Sequence, residues 1–112
     1  MKVRTDIKFG WVRHLDMNLR FRIGLGADDS LWVPADFLGL KTSALEQLRQ
    51  KYGAVVLMDI DDGRIYVDSS AVVLNCANTF VREVLELKIG SLKNQLKQRI
   101  KAHESAGNSQ NN

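Results

Sequence analysis

The sequence predicts one α+β domain: an N-terminal antiparallel β-meander, a central helical pair followed by a hairpin, and a long amphipathic C-terminal helix. Three observations carry this expectation. Residues 18–24, NLRFRIG, set Leu19, Phe21 and Ile23 against Arg20 and Arg22, the alternation of a half-buried strand. Residues 32–73 pass through Pro- and Ser-marked helix starts and a hairpin turning at Asp61-Asp62-Gly63. Val81, Leu85, Ile89, Leu92 and Leu96 recur at spacings of 4, 4, 3 and 4, the apolar stripe of a helix.

Each element has its own signal. Ile7, Phe9 and Trp11 alternate, with Gly10 expected as a bulge or bend and Val12 and Arg13 interrupting the pattern. Ala27-Asp28-Asp29-Ser30 reads as a turn and Leu31–Val33 as a short returning strand, which closes the meander over residues 1–33. Pro34 suits the first turn of a short helix, where its missing N–H is harmless, and Gly39 suits its end. Ser43 and Glu46 have capping-box spacing, Ala44, Leu45 and Leu48 then share a face, and Gly53 suits a C-terminal left-handed position.

Ala54–Ile60 and Arg64–Val67 flank the tight turn as hairpin strands. Helix resumes near Ser69 and is firm from Phe80, although Gly90 weakens it by up to about 1 kcal/mol relative to alanine. The domain therefore spans 1–104, with 34–70 as its middle and 71–104 as its C-terminal helix. The polar tail 105–112, SAGNSQNN, is expected to be disordered.

Length and composition limit the function classes. At 112 residues, 45% hydrophobic and 26% charged, the chain reads as a single soluble globular domain. Its start lacks the apolar core of a signal peptide, and no run reaches membrane-spanning length, so a cytoplasmic location is expected. The lone Cys76 sits in an apolar run and fits a small buried hydrophobe in a reducing compartment. Trp11 and Trp32 read as core or edge-packing residues.

Ala35, Leu38, Gly39, Leu40 and Leu45 have the spacing A-x-x-L-G-L-x-x-x-x-L, in which a small residue lets two helices cross, a glycine turns the chain and an apolar residue plugs the gap. With the hairpin and the Asp68-Ser69-Ser70 entry to the next helix, this segment resembles the reader module of the excisionase and MerR-like winged-helix families. It is also similar to the N-terminal domain of lambda-type small terminase subunits. The resemblance covers about 40 residues, roughly a third of the chain. It implies a winged helix-turn-helix that binds specific double-stranded DNA, in a phage or other mobile element, and serves regulation, replication-origin recognition or DNA recruitment.

In such a module the second helix enters the major groove. Leu45 and Leu48 would face the core, leaving Thr42, Ser43, Glu46, Gln47 and Gln50 to the bases and Lys41, Arg49 and Lys51 to the backbone. Arg64 is the basic residue nearest the acidic wing tip. The amphipathic stripe Val81, Leu85, Ile89, Leu92 and Leu96 is expected to make a homodimer, since a two-fold reader matches a palindromic site.

Charge distribution complicates this expectation. Residues 27–72 carry four basic side chains against eight acidic ones, whereas 1–26 and 80–103 each carry six basic against two acidic. A duplex is a polyanion, so the flanks, Arg20 and Arg22 among them, are expected to supply much of the phosphate attraction. That basic strand face reads equally as a solvated surface. The acidic middle favours a rival of another class: a protein-binding inhibitor or adaptor on a winged-helix scaffold, without DNA binding.

Catalysis has little support. His14 and His103 are far apart, metal-ligand spacing is absent, and Gly24 and Gly26 form only a fragment of a phosphate loop. Asp59, Asp61 and Asp62 cluster at a turn, where carboxylates are ordinarily solvated. No enzyme, cofactor or metal is expected.

Overall fold

Alternation along the second strand sets the architecture. The computed structural model describes residues 6–13 and 20–110, with side chains through His103. Lys2, Arg4 and Asp16, which belong to the charge count of residues 1–26, lie outside the described residues, as do His14, Asn18, Leu19, Asn111 and Asn112. Strands β1 (Lys8–Arg13), β2 (Arg20–Leu25), β3 (Leu31–Pro34), β4 (Val56–Met58) and β5 (Ile65–Asp68) form one antiparallel sheet in the order β1-β2-β3-β5-β4. Helices α1 (Thr42–Tyr52), α2 (Ser69–Leu74) and α3 (Thr79–Gln110) complete an α+β fold.

Register assigns the sheet two unlike faces. Val12 pairs with Phe21, Leu25 with Leu31, and Val67 with both Val33 and Val56. Paired residues share a face, so these side chains converge on one side. There all but the half-buried Leu25, which packs against them, join Leu45 and Leu48 of α1, Ala71 of α2, and Leu92 and Leu96 of α3 in one buried cluster. Alternate residues, among them Phe9, Trp11, Arg20, Arg22, Trp32 and Tyr66, project to the other side.

Close approach of α3 explains Gly10. A Cβ there would lie 2.6 Å from Leu96 Cδ1, so the glycine admits the helix rather than making the expected bulge, and β1 runs through it unbroken. Val12, which interrupts the alternation of Phe9 and Trp11, is the core-facing residue. At the end of β1, Gln95 of α3 accepts the Arg13 N–H at Oε1 (2.6 Å) and donates from Nε2 to the Arg13 carbonyl (3.3 Å).

Several local expectations need correction. Pro34 does not open a helix: it ends β3 opposite Tyr66. Successive i→i+3 bonds from Phe37, Leu38 and Gly39 to Pro34, Ala35 and Asp36 (3.1, 3.2 and 3.0 Å) make a tight turn instead. Four residues between a paired strand and Gly39, whose φ is +68°, are too few to offset helix nucleation.

The Ser43–Glu46 capping box does not form either. α1 begins at Thr42 with Lys41 at the N-cap, a side chain with no acceptor, and Ser43 lies inside the first turn. Gly53 does take the positive φ expected of it (+83°), but with ψ at −135°, outside the left-handed helical region.

Gly63 (φ +69°) closes the β4–β5 hairpin, and its N–H returns to the Asp59 carbonyl at 2.8 Å. Asp68 caps α2, accepting the Ser70 N–H at 3.0 Å and the Ser70 hydroxyl at 2.7 Å. Cys76 is half-buried between α2 and α3 rather than in the core, with its thiol 3.6 Å from the Asn78 carbonyl. Residues 105–110, expected to be disordered, continue the α3 backbone to Gln110. With no proline among them, each added residue extends a helix already nucleated. Among the described residues no helix is long and apolar enough to cross a membrane.

Candidate nucleic-acid interface

α1 is placed by Leu45 and Leu48, both buried against the sheet. Their spacing turns Thr42, Ser43, Glu46, Gln47 and Gln50 outward, all exposed, with Lys41 before the helix and Lys51 in its last turn. Arg49 is half-buried and pairs with Glu46 at 3.0 Å, one helical turn away. Lys51 Nζ lies 3.4 Å from Asn75 Oδ1. Helix α1 thus carries amide, hydroxyl and carboxylate groups that can read base edges, with cations at both ends.

Arg22, expected to contact phosphate, has another role. Its guanidinium donates to Asp59, to Asp62 (2.9 Å) and to the Tyr66 hydroxyl (3.2 Å), and lies 3.9 Å above the centre of the Phe9 ring. Tyr66 in turn donates to Asp62 at 2.7 Å, and its ring meets Phe9 edge-on at 5.0 Å. Burial, reinforced by the Asp62 carboxylate and opposed by Arg22, pushes the Tyr66 hydroxyl up to about 12. Burial also works against the charge on Asp62, yet the Arg64 N–H, the Tyr66 hydroxyl and Arg22 hold that carboxyl below the usual range. Arg22 is therefore the counter-ion of the hairpin tip and a cross-sheet strut. The acidic tip was the sequence signal for it: Asp59 and Asp62 are not simply solvated but need a cation.

Arg20 is exposed beside Trp11, with the guanidinium carbon 5.9 Å from the ring centre. It cannot share a surface with the outward side of α1. Phe21 and Ile23 pack in the same cluster as Leu45 and Leu48, so the alternating Arg20 and Arg22 leave through the opposite face of the sheet. Arg64 is exposed at the hairpin, and its N–H donates to Asp62 Oδ1 at 2.9 Å.

The basic flank of α3 is partly neutralised. Lys93 and Lys97 reach Asp29 at 3.5 and 2.6 Å, and Lys97 first among them holds that carboxyl below its ordinary value. Arg82 donates to the Cys76 carbonyl from Nε (3.2 Å) and Nη2 (2.5 Å), fixing the joint between α2 and α3.

The expected dimer stripe is divided by the fold. Leu92 and Leu96 are core residues, and Ile89 packs against that core because α3 lies across β1 and β2. Leu85 is half-buried, while Val81 remains exposed. Beside Val81 a second apolar line emerges: Phe80 is 73% exposed and Leu87 75%, with Val84 between them. Its 4, 3 spacing was legible in the sequence but was masked by the longer stripe.

Comparisons with family models, with curated proteins and with solved structures give no match to this chain.

Proposed function

We propose that this protein binds double-stranded DNA through the outward face of α1. In this reading it is a variant winged helix-turn-helix, with a single tight turn before the reading helix and the β4–β5 hairpin as a short wing. The observation that carries the reading is the division of α1 itself. Leu45 and Leu48 anchor it, and Thr42, Ser43, Glu46, Gln47 and Gln50 stand together in solvent. Gln pairs bidentately with adenine, Glu accepts from cytosine, and the hydroxyls serve either. Lys41, Arg49, Lys51 and Arg64 supply phosphate contacts; Arg22 does not. No catalytic step is part of this reading.

A homodimer is assigned to the exposed line Phe80, Val81, Val84 and Leu87, since Leu92 and Leu96 are occupied by the core. Such a pair would present two copies of α1 to a repeated or palindromic site, in regulation, origin recognition or recruitment of other proteins to DNA. That same apolar line favours the second reading, a protein-binding adaptor, in which it grips a partner of another kind.

Selection from random duplexes with a salt titration tests the proposal. A reader enriches a motif and loses affinity with a log–log slope of about −0.9 per phosphate contacted. Gln47→Ala with Gln50→Ala should lower affinity for that motif by roughly tenfold or more. Absence of any enriched motif, with binding indifferent to the double substitution, overturns it.

A further inference from the structure

β1 is a terminal strand of the sheet, and a cleft of about 390 Å³ opens between it and the C-terminal half of α3. Its floor is apolar, made by Gly10, Leu96 and Ile100. Among the described residues every titratable group on its walls is basic: Lys8 and Arg20 from the strands, Arg99 and His103 from α3. Among the described residues no carboxylate lines it. The larger hollow beneath α2 and α3 differs: among the described residues it is lined by Asp28, Asp29, Asp68 and Glu86, with Lys93 as the one cation.

Trp11 lines the cleft at the outer edge of β1, from the sheet face away from α3; it is 48% exposed, with Arg20 beside its ring. An indole this exposed on a short edge strand contributes little to the core. Its ring offers a stacking platform, and the cations on both sides suit a polyanion running past it.

We propose that this cleft binds single-stranded nucleic acid. One base stacks on Trp11, and the phosphates either side of it lie against Arg20 on one wall and Arg99, with Lys8, on the other. A duplex cannot use the site in this way, because its bases are stacked inward and present no ring face to an edge-strand tryptophan. The site is separate from α1, which packs against β4 at the opposite edge of the sheet. It therefore stands whether or not α1 reads duplex DNA.

The chain has two tryptophans and Trp32 is 1% exposed, so quenching of intrinsic fluorescence reports on Trp11. Ten-residue oligo-dT and oligo-U are titrated in parallel, against a blunt duplex and thymidine monophosphate. Either single strand should quench Trp11, and a preference between them identifies the nucleic acid. Trp11→Leu should weaken single-strand binding about tenfold, read by anisotropy of a labelled strand. Arg20→Ala with Arg99→Ala should flatten the salt slope by about 1.4, or 0.7 for each phosphate released.

All three side chains are outside the core cluster, so far-ultraviolet dichroism should be unchanged. Gln47→Ala with Gln50→Ala should leave the quenching intact. Absence of quenching by either strand overturns the proposal, as does equal quenching by the duplex. Binding of the mononucleotide as tight as that of the strand, or strand affinity indifferent to both cleft variants, overturns it as well.

Discussion

The two faces of this sheet are stabilised by different physics, although the same strands supply both. On the helix-covered face, Val12, Phe21, Ile23, Val33 and Val67 meet Leu45, Leu48, Leu92 and Leu96 through burial that is non-directional. On the other, Phe9 and Tyr66 surround a guanidinium with two carboxylates on it, and every bond has a direction. The first face tolerates exchange of one aliphatic residue for another of similar volume. The second depends on particular atoms, because a partly buried charge that loses its partner keeps its desolvation cost.

Substitutions on each face rank the two. The largest loss should follow Leu96→Ala, where α3 seats on Gly10: about 3 kcal/mol by urea denaturation, from lost transfer energy plus a cavity. Arg22→Ala should come next, at about 2 kcal/mol, since it leaves the Asp59 and Asp62 carboxylates without their counter-ion in a partly solvated site. A double-mutant cycle with Asp59→Ala should show coupling near 1 kcal/mol or above. A cost for Arg22→Ala no greater than that of an exposed ion pair would erase the distinction between the faces.

Tyr66→Phe sharpens the comparison through pH. Tyr66 holds its proton to about pH 12 in the folded chain, against about 10 when unfolded. Its contribution is complete below about pH 10 and declines from there towards about pH 12, as the unfolded chain releases the proton first. Denaturation midpoints from about pH 9 to about pH 11.5 should fall more steeply for the parent than for Tyr66→Phe, a difference of up to about 2 kcal/mol. At neutral pH the lost hydroxyl should cost about 1 kcal/mol.

The smallest effect belongs to Glu46→Ala. It removes an exposed pair with Arg49 on α1 and should change stability by less than about 0.5 kcal/mol. Any loss of duplex binding in that variant then reports recognition rather than folding.

What the sequence makes legible follows the range of the interactions. Period-two alternation at Phe21 and Ile23, the glycine turn at Gly63 and the Asp68 cap are local, and each is visible within a few residues. Pro34 is ambiguous in the sequence because proline fits a helix start and a strand end equally well. Its pairing with Tyr66, a long way down the chain, decides between them.

Arg22 follows the same rule. Nothing near it announces Asp59 and Asp62, and the four residues of basic alternation around it suggest an open surface instead. The spacing of the α3 stripe marks it as apolar but does not say what covers it. Which of its turns would be covered depended on Gly10, and so on the packing angle of the whole helix. Of the candidate reading residues, those on α1 were legible because Leu45 and Leu48 fix its rotation.

Gln95 has a consequence for the life of this chain in a crowded solution. A terminal strand carries a row of unsatisfied amides and carbonyls that can template another strand, the usual route to fibrils and edge-to-edge aggregates. By placing its carboxamide against both backbone groups of Arg13, Gln95 acts as a one-residue surrogate strand supplied by the helix. An incoming strand would have to displace that side chain before it could zip onto β1 from this end. A single amide thus serves as a stopper on sheet growth.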